Sequence, residues 1–416
     1  MPKLVAQALT QLPLHNMKKL LSSISICLLL FITFASGIKV AKATTCTPHT
    51  DYLYCRPITV NAGQVPSAQT DFTWLICANS TLGNGNACQT VPGLNQTGAG
   101  AHVTNSNGYD IVLTSDSSGT TLMNWETEKY VASTGEFIAW GKSASISDGT
   151  VVYVSYGNAL ISSFQGGSTG TNFDSATKVA YHMADTGSTL ADSSPAGNNA
   201  TKKSSTEPNP TTSGFIGSAQ DFVGVANTST NDYATFPASM PNSNTWTIEW
   251  WGKQIADPPH TGGLEAVFLQ RTSQNVGAGY FWFTNGTLHW RDDFNSSQTP
   301  TASGQASGGA WYHVAFVRNG DSMNIYLNGV AGTAKTGFGT SAQSFLALGF
   351  SGAATSIWSS FNGTLDEVKV SNNVRSADWL TTEYNEGAPA TFETWGSEQS
   401  GSVDIIFFFF NSIGFI

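Results

Sequence analysis

Carboxylates and histidines set in strand-like stretches are the first residues to weigh, because two carboxyl groups about 5 Å apart can serve as acid and nucleophile on a glycosidic bond. Glu249 stands in the stretch Trp246-Thr247-Ile248-Glu249-Trp250-Trp251, but its same-face neighbours along the strand are Thr247 and Trp251, and neither is acidic. Asp366 and Glu367 are adjacent, so a regular strand turns them to opposite faces and they make no dyad with each other. A Glu-x-Asp-x-x-Glu run, which would line up carboxylates on one strand, is absent, as are Gly-x-Ser-x-Gly, Gly-x-x-x-x-Gly-Lys and His-Glu-x-x-His. His182, His289 and His313 lie among apolar residues in strand patterns and are expected to be hydrogen-bonded sheet histidines. His49, His102 and His260 lie in loops. No catalytic residue is assigned; a site dispersed over distant strands is the enzymatic alternative.

Sugar rings stack their C–H faces on indole, so aromatics in polar loops are the candidates for ligand contact. Trp358 sits in Ser356-Ile357-Trp358-Ser359-Ser360, and Trp290 ends the stretch Leu288-His289-Trp290 just before Arg291-Asp292. Trp358, Trp290 and Asp292 are therefore the expected ligand-binding residues. Trp246, Trp250, Trp251, Phe281, Phe283 and Trp311 fall in strand patterns, and some of them belong to a core.

The elements that must position these residues are strands. Charged residues are only 11% of the 416, while Gly (42) and Ser/Thr/Asn turn clusters abound, which suits short strands and polar turns. Almost no long helix is read. Tyr312 to Asn319 and Met323 to Leu327 flank an Asn-Gly-Asp turn and alternate apolar residues, the pattern of a β-hairpin with one face in a core. Strand patterns also cover Pro57–Val60, Phe72–Ile76, Tyr109–Thr114, Glu136–Trp140 and Val151–Tyr156. Cys46, Cys55, Cys77 and Cys88 read as two disulfides; three connectivities are possible, and Cys46/Cys55 with Cys77/Cys88 closes the shortest loops. Their spacing does not suit zinc.

Two resemblances follow. The later block, about 178–398, resembles the laminin-G-like, concanavalin A-type jelly roll. The marks, in order, are Val179-Ala180-Tyr181-His182-Met183, Asp192 to Asn199, Gly217 to Phe222, Trp246 to Trp251, the hairpin, and Phe361 to Val370. The earlier block, 44–164, is similar to an uncharacterised β-sandwich family of exported bacterial proteins through Arg56 to Val60, Asn107 to Ile111, Ser115-Asp116, Glu126 to Glu128 and Tyr153 to Asn158. The resemblances imply an all-β chain of two β-sandwich domains, the C-terminal one a jelly roll, joined by a linker at 165–177. They also imply a structural Ca2+ using Asp192, in a turn rich in carboxylate, hydroxyl and amide oxygens, and Asp366, which opens a strand that lies near such a loop in this superfamily. Hydrogen bonding of Asp192 within its own turn is the other reading.

Residues 1–43 read as a signal peptide: Lys18-Lys19, an apolar run to Phe34, then Ala41-Lys42-Ala43. Five of the 18 basic residues and none of the 28 acidic ones lie there, so the chain beyond residue 43 carries a net −15. Such a surface excludes nucleic acid as a partner, and no membrane span is read in the mature chain. Residues 399–416 form an apolar tail: a frayed strand, an anchor remnant or a sorting tail. The expected protein is secreted or on the cell surface. It binds glycan or a surface or matrix protein without catalysis; a glycoside hydrolase or lyase and a structural spacer are the alternatives.

Overall fold

The run Phe72 to Ala78 does not alternate with polar residues because both faces of its strand are buried. Phe72, Trp74, Ile76 and Ala78 enter one apolar core, while Leu75 and Cys77 enter another on the opposite side. The computed structural model describes residues 45–401, apart from 168–169, 225–230, 239, 241–242, 255–264, 272–279, 285–286, 292–307, 341, 343 and 350–358. The expected signal segment lies outside these residues, as does most of the expected tail.

The first sandwich comprises β1 (Tyr54–Val60), β2 (Gln69–Ala78), β3 (Ile111–Thr114), β4 (Asn124–Val131), β5 (Glu136–Ile146) and β6 (Val151–Tyr156). One sheet runs β1, β6, β3, and the other β2, β5, β4, all antiparallel. Between them Ile58, Val60, Trp74, Val152 and Val154 form the core. β4 escaped the sequence reading, because Asn124-Trp125-Glu126-Thr127-Glu128-Lys129 is polar on one whole face.

The second sandwich is the jelly roll. Its nine-stranded sheet is centred on Thr245–Gln254, paired on one side with Tyr312–Asn319 and on the other with Gly363–Ser371. The facing seven-stranded sheet includes Phe268–Arg271, Tyr280–Thr284, Thr287–Arg291 and Ser344–Leu348. Trp246, Ile248, Trp250, Val314, Phe316, Leu365, Val368 and Val370 fill the space between the sheets. The hairpin has the expected form, with Asn319 opposite Ser322 and Gly320 at φ 59° in the turn, where a positive φ favours glycine.

The segment boundaries differ from the sequence reading in two places. Residues 165–177 do not run free: Asn172 and Phe173 are buried, and Asp174 forms a bidentate pair with Arg375 at 2.6 and 2.8 Å. Nor does the jelly roll own the chain to 398. After helix α1 (Ala377–Glu386), capped by Ser376, residues Glu393–Trp395 and Gln399–Ser400 pair with β1, and Phe392 and Trp395 join the first core. β2 is an edge strand. Its Cys77 and Leu75 amides donate to the buried carboxylates of Glu393 (3.1 Å) and Glu386 (3.4 Å), which answers hydrogen-bonding groups an edge otherwise leaves open.

Candidate functional site

A strand of period two sends Thr247, Glu249 and Trp251 to the face of the nine-stranded sheet away from its core, and His313, Ala315 and Val317 follow on the neighbouring strand. Asp366 and Glu367 both lie on that face, which corrects the expectation that they oppose each other. The register slips between Glu249↔Lys369 and Trp251↔Asp366, Glu367 adopts φ 49°, and the core-facing residues around the bulge are Leu365 and Val368. A β-bulge has inserted one residue, so two successive side chains share a side.

This face is covered rather than open. β2 and β5 bring Leu75, Cys77, Ile138 and Trp140 against Phe215, Trp251 and Trp311 in an apolar seam, with Phe215 stacked on Trp251 at 3.5 Å between ring centroids. Helix α1 adds Leu380 over Ala315 and Val317. It ends at Gly387, where a Cβ would stand 2.7 Å from the Trp251 ring.

Two groups of ionisable side chains are enclosed here. In the first, His182 Nδ1 lies 3.0 Å from both carboxylate oxygens of Glu367, and Nε2 lies 3.2 Å from Glu126 of β4. Burial alone would lower the pKa of His182, but Glu367 and Glu126 hold it well above the ordinary value, so the ring is an imidazolium donating to both. Burial, then Glu367, pushes Glu128 up to about 8 against the opposing pull of His182, while Trp140 Nε1 donates to its Oε2 at 2.8 Å. Asp366 is raised well above the carboxylate range by burial and then by Glu367 and Glu128.

In the second group His313 Nε2 lies 3.6 Å from Glu249 Oε2, and Lys369 Nζ donates to Glu383 Oε1 at 3.2 Å. Burial pushes His313 down to about 4, so its ring is neutral; burial and then Glu249 push Glu383 up to about 8. His313 is not the hydrogen-bonded sheet histidine expected from sequence, for its Nδ1 has no partner. Each group places an imidazole nitrogen and two carboxylate oxygens within 4.8 Å of one another. The cavities beside the second group measure about 10 Å³, room for a single water. A sugar cannot enter cavities of this size.

The expected site residues fall in different places. The disulfides are Cys46–Cys55 and Cys77–Cys88. Asp192 is buried and takes four hydrogen bonds, from Ala180 N, Ser194 N, Ser194 Oγ and Asn198 N. Asp366 accepts from Ile216 N and Glu367 N, and no contact joins it to Asp192 among the described residues. Trp290 pairs with Phe281 on Thr287–Arg291, the outermost strand of the seven-stranded sheet. Trp358 and Asp292 lie outside the described residues. Sequence reasoning missed a cleft of about 410 Å³ in the first sandwich, bordered by Asp71, Asn124, Lys142, Ser143, Ser145 and Val152. No helix among the described residues is long and apolar enough to cross a membrane.

Residues 228–381 match the concanavalin A-like lectin/glucanases superfamily through its laminin-G type, and this stretch is a domain of that class. No curated protein matches the chain. Among solved structures the chain is similar to a heptameric SAP-like pentraxin from Limulus polyphemus, at 18% identity over 44% of this chain and 93% of that one, TM-score 0.33. It is similar also to domain 4 of AbnA, a GH43 extracellular arabinanase from Geobacillus stearothermophilus, solved with arabinotriose, at 17% identity, 49% and 96% coverage and TM-score 0.33. The binding domain of Paraclostridial Mosquitocidal Protein 1 follows at 13% identity and TM-score 0.38, the match covering 50% of this chain and 52% of that one. Similarities at this level carry no argument about activity.

Proposed function

We propose that the chain is an exported, non-catalytic binding protein whose jelly roll recognises a glycan or a cell-surface or matrix ligand. One observation carries this reading: the sheet face that holds the carboxylates and histidines is closed by the first sandwich and helix α1, down to cavities of about 10 Å³. Ligand contact is thereby left to the loops and to the seven-stranded sheet, where Trp290 lies. In this reading Trp290, Asp292 and Trp358 supply the stacking and hydroxyl contacts. Export is supported by the two disulfides, which persist in oxidising compartments.

The test is a glycan and matrix-protein array probed with the full chain and with Trp290→Ala and Trp358→Ala. Wild-type retention on a defined ligand, reduced at least tenfold by one variant with unchanged near-UV circular dichroism, is the expected result. Absence of retention on every ligand leaves the spacer reading in its place. Release of reducing ends from a bound polysaccharide overturns the non-catalytic reading.

A further inference from the structure

We propose that Glu249, His313 and Glu383 form a buried site for one small divalent transition-series cation of the Zn2+ class. The three side chains come from two neighbouring strands and helix α1, and an imidazole nitrogen and two carboxylate oxygens lie within 4.8 Å of one another. Two ligands at about 2.1 Å from a tetrahedral ion stand about 3.4 Å apart. His313 Nε2 and Glu249 Oε2 stand 3.6 Å apart, too far for a hydrogen bond and close to that spacing.

The carboxylate oxygens that would bind the ion, Glu249 Oε2 and Glu383 Oε2, have no hydrogen bond, and the side chains of Glu249, Glu383 and His313 are 4%, 5% and 3% exposed. A buried polar atom without a partner is costly, so it marks a guest the protein atoms do not supply. The adjoining cavity of about 10 Å³ admits one small guest and is lined by these three residues with Lys369 and Glu386.

Charge points the same way. Lys369 binds Glu383 through Oε1, leaving Oε2 free for the ion. Glu249, Glu367, Glu383 and Glu386 bring four carboxyl groups to this cavity against the single ammonium of Lys369, a surplus that a bound dication offsets in place of protons. Protons on the glutamates are the competing solution. Calcium fits poorly, since it requires six to eight oxygens, whereas an imidazole with two carboxylates suits zinc. The His182 group is a weaker host, because both ring nitrogens already donate to Glu367 and Glu126. An ion here ties helix α1 to the sheet it covers.

The full chain, disulfides intact, is unfolded in guanidinium with chelator, refolded metal-free and titrated with Co2+ alone, then with Zn2+ alone. One Co2+ per chain with the visible d–d absorption of a tetrahedral site, displaced by Zn2+ and accompanied by a higher Tm, is the expected result. Glu383→Gln and Glu249→Gln each remove the band, while Glu128→Gln, in the other group, keeps it. Near-UV circular dichroism identifies any variant that fails to fold, and the wild-type titration then decides alone. Metal-free refolding with unchanged Tm and no stoichiometric Co2+ uptake overturns the proposal, as does a band retained in both folded glutamine variants.

Discussion

Glu126 of the first sandwich stands 3.2 Å from His182 of the jelly roll, and the other nitrogen of the same ring meets Glu367 at 3.0 Å. One imidazolium therefore holds a carboxylate from each sandwich. Replacing His182 by alanine leaves the buried Glu367 and the half-buried Glu126 without their cation, a loss of about 3–5 kcal/mol. Urea unfolding of the variant measures it, and a change under about 1 kcal/mol contradicts the bridging role.

The same region sets the pH dependence of stability. Glu128, facing Glu126, His182 and Glu367, is pushed up to about 8 chiefly by burial, and Glu393, beside the Cys77 amide and the Trp395 indole, is likewise at about 8. Between their ordinary value of 4.5 and 8 these groups hold protons in the folded state that the unfolded chain has released, so stability falls as pH rises. His182, raised by Glu367 and Glu126, adds a stabilisation fully present below 6.5 and lost as pH rises through its folded value. All three act in one direction. The urea midpoint is expected to decline from about pH 5 to pH 8, by on the order of a few kcal/mol in stability, and a midpoint that rises contradicts the assignment.

Arg375 grips Asp174 with two guanidinium nitrogens and also donates to Ser371 and Thr177, while burial is outweighed by the guanidinium in holding Asp174 at about 2. Arg375→Ala is expected to cost about 3–5 kcal/mol. Arg375→Lys recovers only part of that, because an ammonium lacks the planar fork. Limited proteolysis within 165–177 should accelerate in both variants; equal cleavage rates contradict the anchoring.

The Cys77–Cys88 bridge closes a loop of separation 11, and both cysteines are buried in the seam shared by the sandwiches. A Cys77→Ser, Cys88→Ser double variant is expected to lose about 3 kcal/mol, read from thermal or urea unfolding against the wild type. No loss means the seam alone orders that loop.

Residues 393–400 complete the sheet of the first sandwich. A fragment ending at residue 164 keeps β6 beside β1 but lacks the strands on the other side of β1, along with Phe392 and Trp395 from its core, so it is expected to unfold without cooperativity. The chain to residue 401 unfolds cooperatively. Dispersed amide signals from the short fragment contradict this.

Much of the architecture is legible in the residues. Alternation and the Asn-Gly-Asp turn mark the hairpin, and the shortest-loop rule gives both disulfides. The ionisable groups are not legible, because each is assembled from elements far apart in the chain. Glu249 shows no acidic neighbour along its strand, and its companions arrive from a neighbouring strand and a helix. The bulge at Glu367 defeats the two-residue period by which Asp366 and Glu367 were separated. Helix α1 did leave a signal, a Ser-x-x-Trp start and a glycine end in Ser376 to Gly387, that a reading tuned to strands passes over.

Because Ile58 finds its partner in Trp395, the earliest sheet of the chain is the last to be closed. A ribosome or translocon delivering this polypeptide from its amino end presents β1 long before the strand that seals it. The first sandwich must wait, incomplete, until the entire jelly roll has emerged, and a chain cut short anywhere before that strand leaves its opening fold unfinished as well as its closing one.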